Sequence, residues 1–171
     1  MALRPIVNVP DTVLRRKAHK VTEFDQDLQT LIDDMVDTLR AAPGVGLAAP
    51  QVGISERVVV IEYSPDDSED ENAPKKLFTL VNPEIIKASE EIETGVEACL
   101  SIPGLVGEVD RAYQIMVKAQ NRRGQNVKIK ARGWLARIFQ HEIDHLDGVL
   151  FTDRAEKVWK PSAEEQAAIR D

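Results

Sequence analysis

His141 and His145 bracket Glu142 in the stretch Gln140-His141-Glu142-Ile143-Asp144-His145, an H-E-x-x-H pattern. On a helix, residues four apart share one face, a turn above one another. Two imidazoles so placed can grip one metal ion, and Glu142 then stands beside it, able to take a proton from a water. Such a pair also arises by accident on helix surfaces, but the chain has only three histidines and two of them are here. Leu135, Ile138, Phe139, Glu142, His145 and Leu146 recur at helical spacing, which sets the polar groups among apolar ones. That is an expensive place for two His and a Glu unless something pairs them.

Two imidazoles do not complete a catalytic site, which takes three protein ligands and keeps one position for water. The candidates for the third are the few carboxylates after Leu146 (Asp147, Asp153, Glu156) and Cys99, the single cysteine. Cys99, in Glu97-Ala98-Cys99-Leu100-Ser101, is the stronger. A lone cysteine is most often a small buried apolar residue. It excludes an internal disulfide, and a reducing compartment suits a thiolate ligand. Upstream, Gly44-Val45-Gly46-Leu47-Ala48-Ala49-Pro50-Gln51 lacks the Lys and Ser/Thr of a phosphate-binding loop. It reads as a tight loop where glycine lets backbone approach a ligand, with Gln51 aiming an amide into the same space.

These residues need elements to carry them. A short helix is expected near Thr12, capped by Asp11, and a helix over 25–42 on the stripe Phe24, Leu28, Leu31, Ile32, Met35, Val36 and Leu39. A buried Val/Ile-rich strand is expected over 57–63, and residues 62–71, with six acidic side chains and no basic one, read as a solvated loop. A strand over 77–81 should stop at Asn82-Pro83, with short strands over 85–87, 91–94 and 105–110. Alternation predicts strands over 113–119 and 127–131, joined by a turn at Arg123-Gly124. The His-bearing helix should begin near Gly133 and stop at Gly148, with a brief strand over 149–151 after it. Ser162 and Glu165 can form a capping box, and His19 reads as a surface residue. The fold class is therefore α+β: antiparallel β-sheets wrapped around a central metal-binding helix, with an N-terminal helix packed on the sheets. With no internal repeat and no second core, one domain is expected over 1–171, with an arm over 1–23 and a short tail over 154–171.

The composition narrows the function. A net charge of -7 and a pI of about 5.1 disfavour a general nucleic-acid binder, which shows a basic face. No apolar run reaches membrane-spanning length, and the N-terminus has no signal-peptide pattern, so a location in the cytosol, or in an organelle after removal of a targeting segment, is expected.

The stretches at 44–51, 97–101 and 140–145 together resemble the three signature motifs of peptide deformylases, in that family's order, and the similarity runs to about Asp153. The resemblance implies a bacterial or organellar enzyme, here read as bacterial, that removes the formyl group from the formyl-methionine of nascent polypeptides. It implies that Cys99, His141 and His145 hold a divalent metal, with Fe²⁺ physiological and Zn²⁺ or Ni²⁺ also accommodated. Glu142 is implied as the proton carrier, with Gln51 and the Leu100 backbone N–H stabilising the oxyanion. Gly46 is implied to pair with the substrate backbone, and Leu100, Trp134, Ile138 and His141 to line a methionine pocket. Arg111 and Asp144 should pair and steady the helix. The expected partners are the formylated nascent chain and a transient ribosome contact, with no membrane or nucleic-acid site, in a monomer. The family usually has glycine where this chain has Ala98, so the backbone there must be ordinary or strained. The mixed-charge tail after Arg154 gives little support for docking through a basic C-terminal helix. An internally cutting metallopeptidase is disfavoured by Cys99 in its motif, a closed structural-metal site by the lack of further Cys or His, and a non-catalytic binding module by intact Gln51, Cys99 and Glu142.

Overall fold

The computed structural model describes residues 2–63 and 74–168. From residue 64 onward, the expected acidic loop lies outside the described residues. A 3₁₀ turn at Thr12–Arg15 is capped by the Asp11 carboxylate, which accepts from Val13 N. Helix α1 (Gln26–Ala41) is capped by Asp25, which accepts from Leu28 N. Then follow β1 (Gly46–Ala48), a second 3₁₀ turn (Ala49–Val52), β2 (Val58–Tyr63), β3 (Lys76–Ala88), β4 (Ile92–Cys99), β5 (Ile102–Ala112), β6 (Gln114–Gln120) and β7 (Asn126–Arg132). Helix α2 (Gly133–Leu146) carries the H-E-x-x-H pattern, and α3 (Phe151–Arg154), β8 (Lys157–Trp159) and α4 (Ala163–Ala168) complete the chain.

Two antiparallel sheets form, in the orders β1-β2-β3-β6-β7 and β4-β5-β8. The run of apolar residues in β2 is explained by burial on both faces. Val58 and Val60 pack with α1 residues Leu28, Leu31, Ile32, Met35, Val36 and Leu39. Val59 and Ile61 face the other way, onto α2 through Leu135, Ile138, Phe139, Ile143 and Leu146. The smaller sheet has its own apolar floor, in which Cys99, Ile102 and Val109 meet Val13, Leu14, Leu150 and Phe151. The result is the expected α+β arrangement, with α2 central and α1 on the opposite face of the larger sheet.

Several local expectations are corrected. The strand over 77–81 does not stop at Asn82-Pro83 but continues as β3. Asn82 takes a φ of 53°, a conformation its short polar side chain tolerates, and the register with β6 shifts between Val81 and Glu84. Pro83, lacking an N–H, falls within that irregularity, where a missing ladder donor costs little. The short strands over 91–94 and 105–110 are parts of one long hairpin, β4–β5, turned by Leu100-Ser101. Residues 46–48 are strand β1 rather than loop, paired with β2. The strand expected over 149–151 is absent: Leu150 N donates to the Asp153 carboxylate at 2.9 Å, a cap that starts α3 instead.

Candidate metal centre

Helix α2 offers His141 and His145 from its buried face, with His145 only 1% exposed. Its end is pinned from outside: Leu146 O accepts from Ala18 N at 2.7 Å and from Arg57 Nη1 at 2.9 Å. The hairpin brings Cys99 to the same place. Cys99 Sγ lies 3.4 Å from His145 Nε2, and ligand atoms of Cys99, His141 and His145 all fall within 4.8 Å of one another. A tetrahedral ion with metal–sulfur and metal–nitrogen bonds of typical length would hold those two atoms about 3.5 Å apart. The donor set is therefore of the right chemistry and nearly the right spacing for one divalent cation.

Glu97, two residues before Cys99 on an alternating strand, shares its face. Its Oε1 accepts from His141 Nδ1 at 2.8 Å. Arg111 embraces the same carboxylate through Nε and Nη2, each at 2.8 Å, and Arg137 Nη1 adds a contact of 2.6 Å. Burial by itself would raise the Glu97 carboxyl, but the hydrogen bonds and charges of Arg111 and His141 outweigh it and hold the group well below the usual carboxylate range. An ionised Glu97 can only accept, so Nδ1 of His141 carries the proton and Nε2 is left for the site. Arg111 continues to Asp144 on α2 at 2.7 Å, the pair expected from the sequence, and Arg154 reaches Asp144 at 2.6 Å. Burial by itself lowers both imidazoles. For His141, hydrogen bonds to Cys99 and Glu97 and the charges of Glu142 and Cys99 reverse this and raise it well above its ordinary value. For His145, the charges of His141 and Arg111 add to the burial and push it well below.

Around this centre lies a cleft lined by Gly46, Gln51, Glu97, Ala98, Cys99, Leu100, Trp134, Arg137, Ile138, His141 and Glu142. Of the residues singled out from the sequence, Gly46, Gln51, Cys99, Leu100, Trp134, Ile138, His141 and Glu142 are on the cleft wall, His145 is set behind it, and Arg111 and Asp144 pair outside it. Gln51 is oriented from both ends: its Oε1 accepts from Ala48 N at 3.0 Å, and its Nε2 donates to Ser101 Oγ at 3.2 Å and toward Cys99 Sγ at 3.5 Å. The amide nitrogen therefore faces the centre. Gly46 leaves room for Glu142: a Cβ built there would come within 2.5 Å of Glu142 Oε2 and displace that side chain.

A sequence profile described as polypeptide deformylase matches residues 3–160. The chain belongs to the polypeptide deformylase family. A peptide deformylase of Symbiobacterium thermophilum is 52% identical over 154 residues, covering 90% of this chain and 67% of that protein. Peptide deformylase 1 of Bacillus subtilis is 47% identical over 159 residues, covering 93% and 94%. The crystal structure of the Thermotoga maritima peptide deformylase superposes with a TM-score of 0.81 at 42% identity, covering 91% of this chain and 99% of that one. That of the Ehrlichia chaffeensis deformylase in complex with actinonin gives 0.84 at 38%, covering 92% and 91%.

Ala98, the departure from the deformylase motif, pairs with Val106 in β4 without a positive φ, so its methyl carries no left-handed strain. The sequence reading gave Glu97 no role and passed over Arg137. Signals for both existed: Glu97 alternates with Cys99, and Arg137 stands four residues before His141 on the same helix face.

Proposed function

We propose that Cys99, His141 and His145 hold a single divalent metal and that the cleft removes the N-formyl group from the formyl-methionine of nascent polypeptides, releasing formate. What carries the reading is the convergence, in one cleft, of a three-ligand cluster that leaves a position for water with Glu142, Gln51 and Leu100. Cys99 and Leu100 come from the hairpin of the smaller sheet, Gln51 from the 3₁₀ turn after β1, and Glu142 with both histidines from α2, and a single hydrolytic reaction is what these groups together suit.

When bound, the metal acidifies a water and draws charge from the formyl oxygen. Glu142 takes the water's proton and later returns it to the departing amine. As the formyl carbon becomes tetrahedral, negative charge gathers on its oxygen. Gln51 Nε2, held by Ala48 and Ser101, and the Leu100 backbone N–H donate to that oxygen. Because Gln51 is already oriented in the protein alone, little reorganisation is spent as charge develops. Gly46 brings β1 backbone against the substrate's own. Leu100, Trp134, Ile138 and the His141 ring supply an apolar wall for the methionine side chain, whose unbranched thioether adapts to it.

Ferrous iron is our assignment for the cell, with zinc or nickel able to substitute, since a His₂Cys set suits each. We read the chain as one catalytic domain, with the arm over 1–23 and the tail over 154–171, working as a monomer in the bacterial cytoplasm. Among the described residues no helix is long and apolar enough to cross a membrane. A formylated nascent chain is met at the ribosome, so a transient contact there belongs to this reading.

The experiment is parallel incubation of formyl-Met, acetyl-Met and unblocked peptides with the Fe²⁺ or Ni²⁺ protein, followed by formate assay and mass spectrometry. Formate should appear from the formyl peptide alone. A formyl group presents only hydrogen beyond its carbonyl carbon, whereas acetyl adds a methyl. Internal cleavage without formate would replace this reading with a metallopeptidase.

A further inference from the structure

Arg137 is a buried cation, 3% exposed, for which the reaction above has no use. It projects from α2 one turn before His141. Nη1 donates to Glu97 Oε2 at 2.6 Å and to Val109 O at 2.9 Å, and Nη2 donates to Glu93 O at 2.5 Å. Its Cζ lies 5.4 Å from the centre of the Trp134 ring. One side chain therefore grips a carboxylate, both strands of the β4–β5 hairpin and an aromatic ring of the cleft.

The grip spans two sheets, alongside the Gln140 amide of α2, which meets Ala112 N and O of β5. Cys99 and Leu100 belong to the smaller sheet, whereas His141, Glu142 and His145 belong to the helix packed on the larger one. No strand pairing joins the two sheets among the described residues. Two arginines cross the gap in opposite directions: Arg111 runs from β5 to Asp144 on α2, and Arg137 runs from α2 to β4 and β5. Arg111 already meets both oxygens of Glu97, so a second guanidinium is not needed to neutralise that carboxylate. The further bonds of Arg137 go to main-chain carbonyls, which fix position rather than charge. The hairpin also makes room for it, since a Cβ at Gly95 would lie 2.8 Å from Arg137 Cζ.

We propose that Arg137 is a positioning residue that sets the separation between the Cys99 hairpin and the two-histidine helix, and that it couples this separation to the methionine pocket through Trp134. The inference rests on the ligand and pocket assignments of the proposed function. A planar fork with fixed donor directions suits a spacer between rigid elements, and an ammonium on a flexible stem does not. The effect on the centre is indirect, through ligand placement, as for other groups that orient metal ligands.

The test uses the full chain loaded with zinc, comparing wild type with R137M, R137K and G95A. G95A keeps the arginine and displaces its guanidinium, so it covers the case in which R137M does not fold. R122Q, which removes the Arg122 contacts to Gln29 and Asp33 on α1, is the control for general loosening. Zinc affinity is read by competition with a chromophoric chelator, well below each variant's Tm. Pocket selectivity is read as the ratio of kcat/KM for formyl-Met over formyl-Leu peptides. R137M and G95A should weaken zinc about tenfold, the lower end for groups that orient metal ligands. Both should lower the selectivity ratio as well, R137K should restore neither fully, and R122Q should alter only Tm. Zinc affinity within twofold of wild type in both R137M and G95A would overturn the proposal, whatever happens to Tm. Weakened zinc with an unchanged selectivity ratio would overturn the coupling to the pocket. If wild type bound zinc tightly and released no formate, the deformylase reading would fail, while the zinc affinities would still judge the role of Arg137.

Discussion

Glu97 Oε1 and His141 Nδ1 lie 2.8 Å apart across the gap between the hairpin and the helix. The carboxylate, kept ionised by Arg111, decides which imidazole nitrogen carries a proton and which is offered to the metal. E97Q should weaken metal binding 10- to 100-fold. It should also destabilise the protein by about 3–5 kcal/mol, because Arg111 and Arg137 lose a buried counter-charge. Chelator competition and urea unfolding check the two numbers separately. Unchanged metal affinity would show that His141 needs no orienting partner.

Glu142 stands beside the cluster, 3% exposed. E142Q keeps the size of the side chain and removes its ability to take a proton. Metal content should stay at one ion per chain while kcat falls about a hundredfold or more. Near-normal turnover would remove Glu142 from the role of base.

Gly46 should matter through Glu142. In G46A the new methyl would overlap Glu142 Oε2 at 2.5 Å and push the carboxylate aside. Metal content is expected to hold, and kcat to drop about tenfold or more, within the range for loss of general-base help. Equal activity in G46A would mean that Glu142 moves without cost.

The N-terminal arm docks on α1 through Asp34, whose carboxylate accepts from Ala2 N at 2.8 Å and Arg4 Nε at 2.9 Å. The Ala2 N–H, ahead of the Arg4 contact, holds the Asp34 carboxyl below its ordinary value of 3.8. A depressed folded value contributes stability above pH 3.8 that is lost as the pH falls through the folded value. The gap in urea midpoint between wild type and D34N should therefore be full near neutral pH and close in acid below that point. A gap independent of pH would place the arm's attachment elsewhere.

Much of the site was legible because its signals are local. The four-residue spacing of His141 and His145 already sets both on one helix face. The stripe from Leu28 to Leu39 marks the buried side of α1, and the apolar run of β2 marks a strand covered on both faces. Periodicity and spacing of this kind depend only on the backbone's own repeat. The strings around Gln51, Cys99 and His141 pointed to their residues through their resemblance to the deformylase motifs, again without any fold. Short segments were less secure: β3 runs through Asn82-Pro83 because a bulge absorbs the proline, and residues 151–154 coil into α3 because Asp153 caps Leu150.

What only the tertiary structure decided is which of these residues meet. Cys99 and His145 are 46 residues apart and touch because a hairpin of one sheet docks on a helix of the other. The same docking turns Glu97 from a motif letter into the acceptor for His141, and Arg137 from a helix residue into a brace holding Val109 O and Glu93 O. Alternation along β4 gives the face that Glu97 and Cys99 share, but not what that face will oppose. That depends on how two sheets with no common strand pack together, and the packing is settled by buried side chains from every part of the chain at once.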